Sequence, residues 1–100
     1  MAFIQIIEFR TDKIDEMRKL DEAWEARAKS EGATAQRGIL CADRDDAGRY
    51  FQIVFFDSAE EAEKNSNLPV TQEFAGKMMA LGNGEPSFYN LDVVEDLDYR

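Results

Sequence analysis

YFQIVFF, residues 50–56, is the most strand-like stretch of the chain, and both of its faces are apolar. Aromatic and β-branched residues dominate it, as they do in strands. Side chains alternate across a strand, so Phe51, Ile53 and Phe55 point one way and Tyr50, Val54 and Phe56 the other, with Gln52 among the latter. FIQIIEFR, residues 3–10, repeats the property: Ile4 and Ile6 oppose Phe3, Ile7 and Phe9, and Gln5 lies with the second set. A sheet built from such strands has two faces to bury.

The flanking sequence supplies the other elements. Ile14, Met17, Leu20, Trp24 and Ala28 draw one apolar stripe along a helix, with Thr11 or Asp12 at its start and Gly32 at its stop. AQRGILCA, residues 35–42, is a weaker strand, joined to 50–56 by the polar turn DRDDAGR. Ser58–Glu61, SAEE, fits a capping box and opens a second helix. NSNLP, residues 65–69, interrupts it, because Pro69 lacks an N–H and disfavours helix at Leu68 yet suits a first helical turn. A further helical stretch carries Phe74, Met78 and Leu81, and FYNLDVV, residues 88–94, is a last strand. The order predicts one domain, residues 1–100, of the α+β class: a ferredoxin-like βαββαβ fold with a four-stranded antiparallel sheet and two helices on one face. The helices cover only one apolar face, and a second copy of the sheet is the simplest cover for the other, so a homodimer through the sheet face is expected.

Polar intruders mark the face expected to enclose a cavity. Gln5, Gln52 and Asn90 share their faces with Phe3, Phe9, Tyr50, Phe56 and Phe88. A helix-covered face in so small a domain is expected to be dry, which turns the amide-bearing face toward the partner sheet. Apolar walls with sparse polar groups suit a small apolar or aromatic ligand. The expected ligand-binding set is Gln5, Ile7, Phe9, Gln52, Val54, Phe88 and Asn90 on the sheet, with Asn65 and Ser66 at the rim where Pro69 breaks the helix. Gln5 and Gln52 could instead bond each other or the partner within a solid dimer core. Pairing Arg44 with Arg49 across the turn puts Cys41 and Arg37 on the Gln52 face; a one-residue slip replaces them with Leu40 and Gly38.

Composition excludes several functions. A formal net charge of −9 argues against nucleic-acid and membrane-surface partners. No histidine and a single cysteine, Cys41, remove His-based catalysis, His-ligated zinc, Cys-cluster metal sites and an intrachain disulfide, so no metal is expected. No signal-like apolar stretch precedes the first strand, and the expected location is cytoplasmic. Asp43, Asp45 and Asp46 read as turn residues. Among carboxylates, Glu8 is expected on the helix side and Asp92 on the cavity face.

FIQIIEFR followed by DKIDEM, the passage FQIVFFDSAEEA, the break NSNLPVTQEF and the late strand FYNLDVV together resemble the dimeric α+β barrel superfamily, in particular its antibiotic-biosynthesis-monooxygenase-like branch. The resemblance spans essentially the whole chain, and NSNLPVTQEF is similar to a variant in small actinobacterial members. It implies the fold and the dimer, and it offers a range of activities: quinol monooxygenases without a cofactor, haem-degrading enzymes, polyketide cyclases and lactone isomerases. Haem-degrading relatives use a first-strand Asn, a Trp near the second helix and a His iron ligand. Here Gln5 stands roughly at the Asn place, Trp24 belongs to the first helix and no His exists. The resemblance therefore implies no cofactor. It points instead to a cofactor-independent monooxygenase in which Gln5, Gln52, Asn65 and Asn90 orient an electron-rich aromatic, polyketide-like substrate. A cyclase or isomerase of the same fold and a non-catalytic dimeric stress or interaction protein are the alternatives.

Overall fold

In a computed structural model describing residues 1–100, the chain forms β1 (Phe3–Arg10), α1 (Ile14–Ala28), β2 (Arg37–Ala42), β3 (Arg49–Phe56), α2 (Ala59–Asn67), α3 (Pro69–Leu81) and β4 (Ser87–Asp92). The strands make one antiparallel sheet in the order β2-β3-β1-β4. This is the ferredoxin-like α+β arrangement, with its second helical half divided in two. Leu68 is the divider: its backbone is extended (ψ 137°) and Pro69 begins α3. Leu68 obeys the restriction that a following proline imposes.

Helix starts follow local chemistry. Ser58 Oγ accepts from Glu61 N at 3.2 Å, so the capping residue read from SAEE does cap α2. At α1 the cap is indirect. Lys13 occupies the N-cap position, and Thr11 Oγ1 accepts from Lys13 N at 2.9 Å while donating to Leu81 O at 2.7 Å. Buried Thr11 thus ties the start of α1 to the end of α3. Asp15 and Glu16 in the first turn and Arg27 in the last complement the helix dipole.

The β2–β3 register differs by one residue from the Arg44–Arg49 pairing. Arg37 lies opposite Phe55, Gly38 opposite Val54 and Leu40 opposite Gln52. The turn closes on Asp43 rather than Arg44: Asp43 N donates to Arg49 O at 3.0 Å, and Asp43 Oδ1 accepts from Asp45 N at 2.9 Å. Gly48 supplies the left-handed residue of this turn, with φ +89°. Leu40 and Gly38 therefore join the Gln52 face, and Cys41 and Arg37 fall on the other.

Pairing and alternation sort the sheet into two sides. Phe3, Gln5, Ile7, Phe9, Tyr50, Gln52, Val54, Phe56, Phe88 and Asn90 share one; Ile4, Ile6, Glu8, Ile39, Cys41, Phe51, Ile53, Phe55, Tyr89 and Leu91 share the other. Packing shows which side carries the helices. Phe3 and Phe56 bury against Ala62 of α2, with Ala35 and Val54 alongside. The amide-bearing side is thus the helix side, the reverse of the expectation that it would face a partner sheet. Only α2 approaches β1 and β3 closely; α1 lies along α3. A second core of Ala28, Val70 and Phe74, flanked by Leu20, Trp24, Ala33 and Leu68, is an interhelical one. Trp24 Nε1 donates to Thr71 Oγ1 at 3.2 Å within it.

The outer side of the sheet is uncovered. The chain exposes 7140 Å², and only 9 residues are buried. A compact monomer of this 11.4 kDa mass exposes roughly 5,800 Å². No helix is long and apolar enough to cross a membrane.

Candidate functional site

The helix side of the sheet is roofed at one end only. Ala62 closes the Phe3–Phe56 end. Beyond it, Gln5, Ile7, Phe9, Tyr50 and Gln52 are half-buried, and Leu40, Phe88 and Asn90 are exposed. The cause is the placement of α1: its apolar stripe is consumed by α3, so it does not seal the sheet. The result is a partly covered sheet face beside the helices, apolar with a few amides.

Seven of the expected residues, Gln5, Ile7, Phe9, Gln52, Val54, Phe88 and Asn90, come together on this face through strand pairing: Gln5 lies between Val54 and Asn90, and Ile7 between Gln52 and Phe88. Gln5 Nε2 donates to Asn90 Oδ1 at 3.3 Å, which orients both carboxamides and leaves Gln5 Oε1 and Asn90 Nδ2 to other partners. Phe9 and Tyr50 stack with centroids 5.7 Å apart and planes at 22°. Gly38 lies under the third amide. A Cβ there would stand 3.1 Å from Gln52 Nε2, so glycine leaves the space that the amide occupies. Of the two registers open from sequence, the one that puts Leu40 and Gly38 on the Gln52 face is found, and Asp43 as the turn-closing residue is the signal for it.

Asn65 and Ser66 are not gathered with that set. Asn65 is buried on the same inward side of α2 as Ala62, and its Oδ1 accepts from Thr34 N at 3.1 Å. Thr34 Oγ1 donates to Glu61 O at 2.5 Å, which completes a clasp between α2 and the segment leading into β2. Ser66 is exposed, and its carbonyl accepts from Gln72 Nε2 at 2.8 Å. The break beside Pro69 opens outward, where Asn67 and Leu68 border a shallow depression with Gly32, Glu60, Glu63 and Lys64. Asn65→Ala leaves the half-buried Thr34 N–H without its acceptor, and its expected cost is about 1 kcal/mol in a urea titration. An unchanged midpoint would mean that the clasp contributes nothing.

Charges concentrate away from the amide-bearing face. By alternation Arg10, Arg37 and Arg49 all lie on the outer side, and Asp92, opposite Phe3, is the one charged strand residue on the helix side. Glu8 also faces outward, not toward the helices as expected. Its carboxylate accepts from Arg49 Nε at 2.9 Å and from Tyr89 OH at 3.0 Å. The Arg49 bond first, and the Tyr89 bond second, hold Glu8 below the ordinary glutamate range, and the same carboxylate pushes the Tyr89 phenol up. A carboxylate so stabilised is a poor proton acceptor at neutral pH. Arg49 also reaches Asp43 Oδ2 at 3.0 Å and lies 4.8 Å over the Phe51 ring. Glu8 is therefore an element of an outer-face network and not a base for the amide-bearing face.

With this geometry in place, the chain can be set beside known structures. Its fold is that of the antibiotic-biosynthesis-monooxygenase-like domains. The particular structures it matches include a candidate antibiotic biosynthesis monooxygenase from Caulobacter crescentus, with a TM-score of 0.80 at 17% identity over 94% of this chain and 91% of that one. SnoaB, a cofactor-independent oxygenase from Streptomyces nogalater, matches with a TM-score of 0.78 at 14% identity over 96% of each chain. Rv0793 from Mycobacterium tuberculosis matches with a TM-score of 0.77 at 13% identity over 98% of this chain and 100% of that one. No protein-family model and no curated protein sequence matches the chain.

Proposed function

We propose that the chain is a cytoplasmic, homodimeric small-molecule-binding protein that acts as a cofactor-independent monooxygenase on an uncharged aromatic, polyketide-like substrate. The observation that carries the reading is the amide-bearing face: carboxamides of Gln5, Gln52 and Asn90 set among Phe9, Tyr50 and Phe88 on one half-roofed side of the sheet. Such a surface stacks an aromatic ring and offers donors and acceptors at its edge. The absence of a cation from the strands on this side disfavours an anionic ligand. Oxygenation without a cofactor asks little of the protein: a shaped apolar site that holds an electron-rich phenol toward dioxygen. This matches a site with amides and no activated base. The fold similarity to SnoaB, itself a cofactor-independent oxygenase, supports the reading. The ligand lies between sheet and helices, which replaces the intersheet position expected from sequence, and the outer sheet face serves the dimer.

The test is a panel of hydroquinones and anthrones, followed by calorimetry for binding and by an oxygen electrode for turnover. Gln5→Leu and Gln52→Leu are each expected to weaken binding about tenfold, the value of one neutral hydrogen bond, with the fold retained. Binding that is absent at millimolar ligand, or unaffected by either substitution, would remove this face from consideration. Binding without oxygen uptake would leave a carrier rather than an oxygenase.

A further inference from the structure

We infer that Gly38 of β2 is a positioning residue: its missing side chain lets the Gln52 carboxamide lean toward β2, where the amide holds a ligand oxygen at the edge opposite the Gln5–Asn90 pair. The inference rests on the proposed small-molecule site. It adds a requirement, that the ligand be a flat ring system with an oxygen on each of two opposite edges.

The backbone does not demand glycine at this position. The left-handed glycines are Gly32, Gly48 and Gly84, whereas Gly38 sits in regular pairing opposite Val54. A glycine inside a strand weakens it and often marks the close approach of another group. Here that group is Gln52. A Cβ at Gly38 would stand 3.1 Å from Gln52 Nε2, whereas at the other glycines it would meet nothing closer than 3.6 Å. A side chain at 38 therefore pushes the amide back from β2. Gln52 also differs from the other glutamines. Gln5 donates to Asn90, Gln36 Nε2 donates to Asp57 Oδ1 at 2.6 Å and Gln72 Nε2 to Ser66 O. The Gln52 carboxamide bonds no group of its own chain. No buried side-chain N or O atom lacks a partner, so this free amide is open to an incoming group. Gly38 beside it is exposed.

The two glutamine amides lean apart. Gln5 pairs with Val54 and Gln52 with Ile7, which makes the glutamines diagonal neighbours about 7–8 Å apart. Gln5 turns toward β4 through Asn90, and Gln52 turns toward β2 over Gly38. Val54 and Ile7 form the apolar strip between them. A flat ring lying on that strip meets a carboxamide at each of two edges, and each carboxamide both donates and accepts.

The test uses the full chain, calorimetry, and two probes: a naphthol, and a naphthalenediol with its hydroxyls on opposite edges. The wild-type chain is expected to bind the diol about tenfold tighter than the naphthol, the value of one further neutral hydrogen bond. Gly38→Ala is expected to reduce that preference and Gly38→Val to abolish it, with unchanged far-UV circular dichroism spectra. In a Gln52→Leu background Gly38→Ala is expected to add nothing, because two substitutions that act through one amide do not add. In the free chain, the Gln52 side-chain amide signals of a proton–nitrogen correlation spectrum are expected to move in Gly38→Ala, a readout of positioning that needs no ligand. Equal wild-type affinity for the two probes, a preference retained in Gly38→Val, an equal loss in both backgrounds or unmoved Gln52 signals overturns the role of Gly38 and leaves the site standing. Binding of neither probe at millimolar concentration overturns the site reading and the inference with it.

Discussion

Ile53→Asp is expected to sediment as a monomer at concentrations where the proposed dimer of the wild-type chain forms. Ile53 sits between Ile6 and Ile39, at the centre of an apolar outer face that also holds Ile4, Phe51, Phe55 and Leu91. In the single chain that position is only half-buried, and a carboxylate there stays in reach of water. In a sheet-to-sheet contact the carboxylate loses its solvent and gains no partner. An unpaired buried charge costs about 3–5 kcal/mol, or a dissociation constant raised by roughly two to four orders of magnitude. The rim behaves differently. Glu8, Arg49, Asp43 and Tyr89 are already bonded to one another, so truncation there should mainly change salt dependence. Analytical ultracentrifugation over a concentration series checks the result. A wild-type association constant in Ile53→Asp would show that the outer face is not the interface.

Phe56→Ala is expected to lose about 3–5 kcal/mol of folding stability. Phe56 is 2% exposed, and its ring meets Phe3 at 6.5 Å and a tilt of 51°, under Ala62. A domain of this size has roughly 5–15 kcal/mol in total, and this one has few buried residues to absorb the loss. Its neighbour Phe55 makes a sharp control. Phe55 lies on the outer side under the Arg37 guanidinium and is half-buried. Measured below the dimer dissociation constant, Phe55→Ala should cost much less than Phe56→Ala in guanidinium titrations. Equal losses, or the reverse order, would contradict the assignment of the two sheet sides.

The two faces also show where sequence reading reached its limit. Strand content, the Ser58 cap, the Leu68–Pro69 break and the grouping of Gln5, Gln52 and Asn90 are local or follow from alternation, and the sequence carries them. The β2–β3 register stayed open between two alternatives because a turn of several polar residues can close in more than one way. Asp43, whose carboxylate bonds both Asp45 N and Arg49, selects one closure. The amide-bearing face is expected from sequence to turn away from the helices because a helix-covered face is taken as dry, and packing of Phe3 and Phe56 on Ala62 reverses that. That assumption fails where α1 spends its stripe on Val70 and Phe74 of α3 instead of on the sheet. Asn65 looked like a rim residue because it precedes a helix break, but its amide answers to Thr34, distant in sequence and invisible to any local pattern.

By itself, the sequence determined a βαββαβ sheet with two apolar faces and three amides on one of them, because side-chain alternation, capping and proline sterics act over a few residues. Only the tertiary structure decided which face takes the helices, that the amides lie beneath a half-open roof, and that the opposite face is left bare. Those outcomes depend on which distant surfaces meet: Ala62 on Phe3 and Phe56, and α1 on α3. Alternation says which side chains travel together, but only packing between elements says what they face.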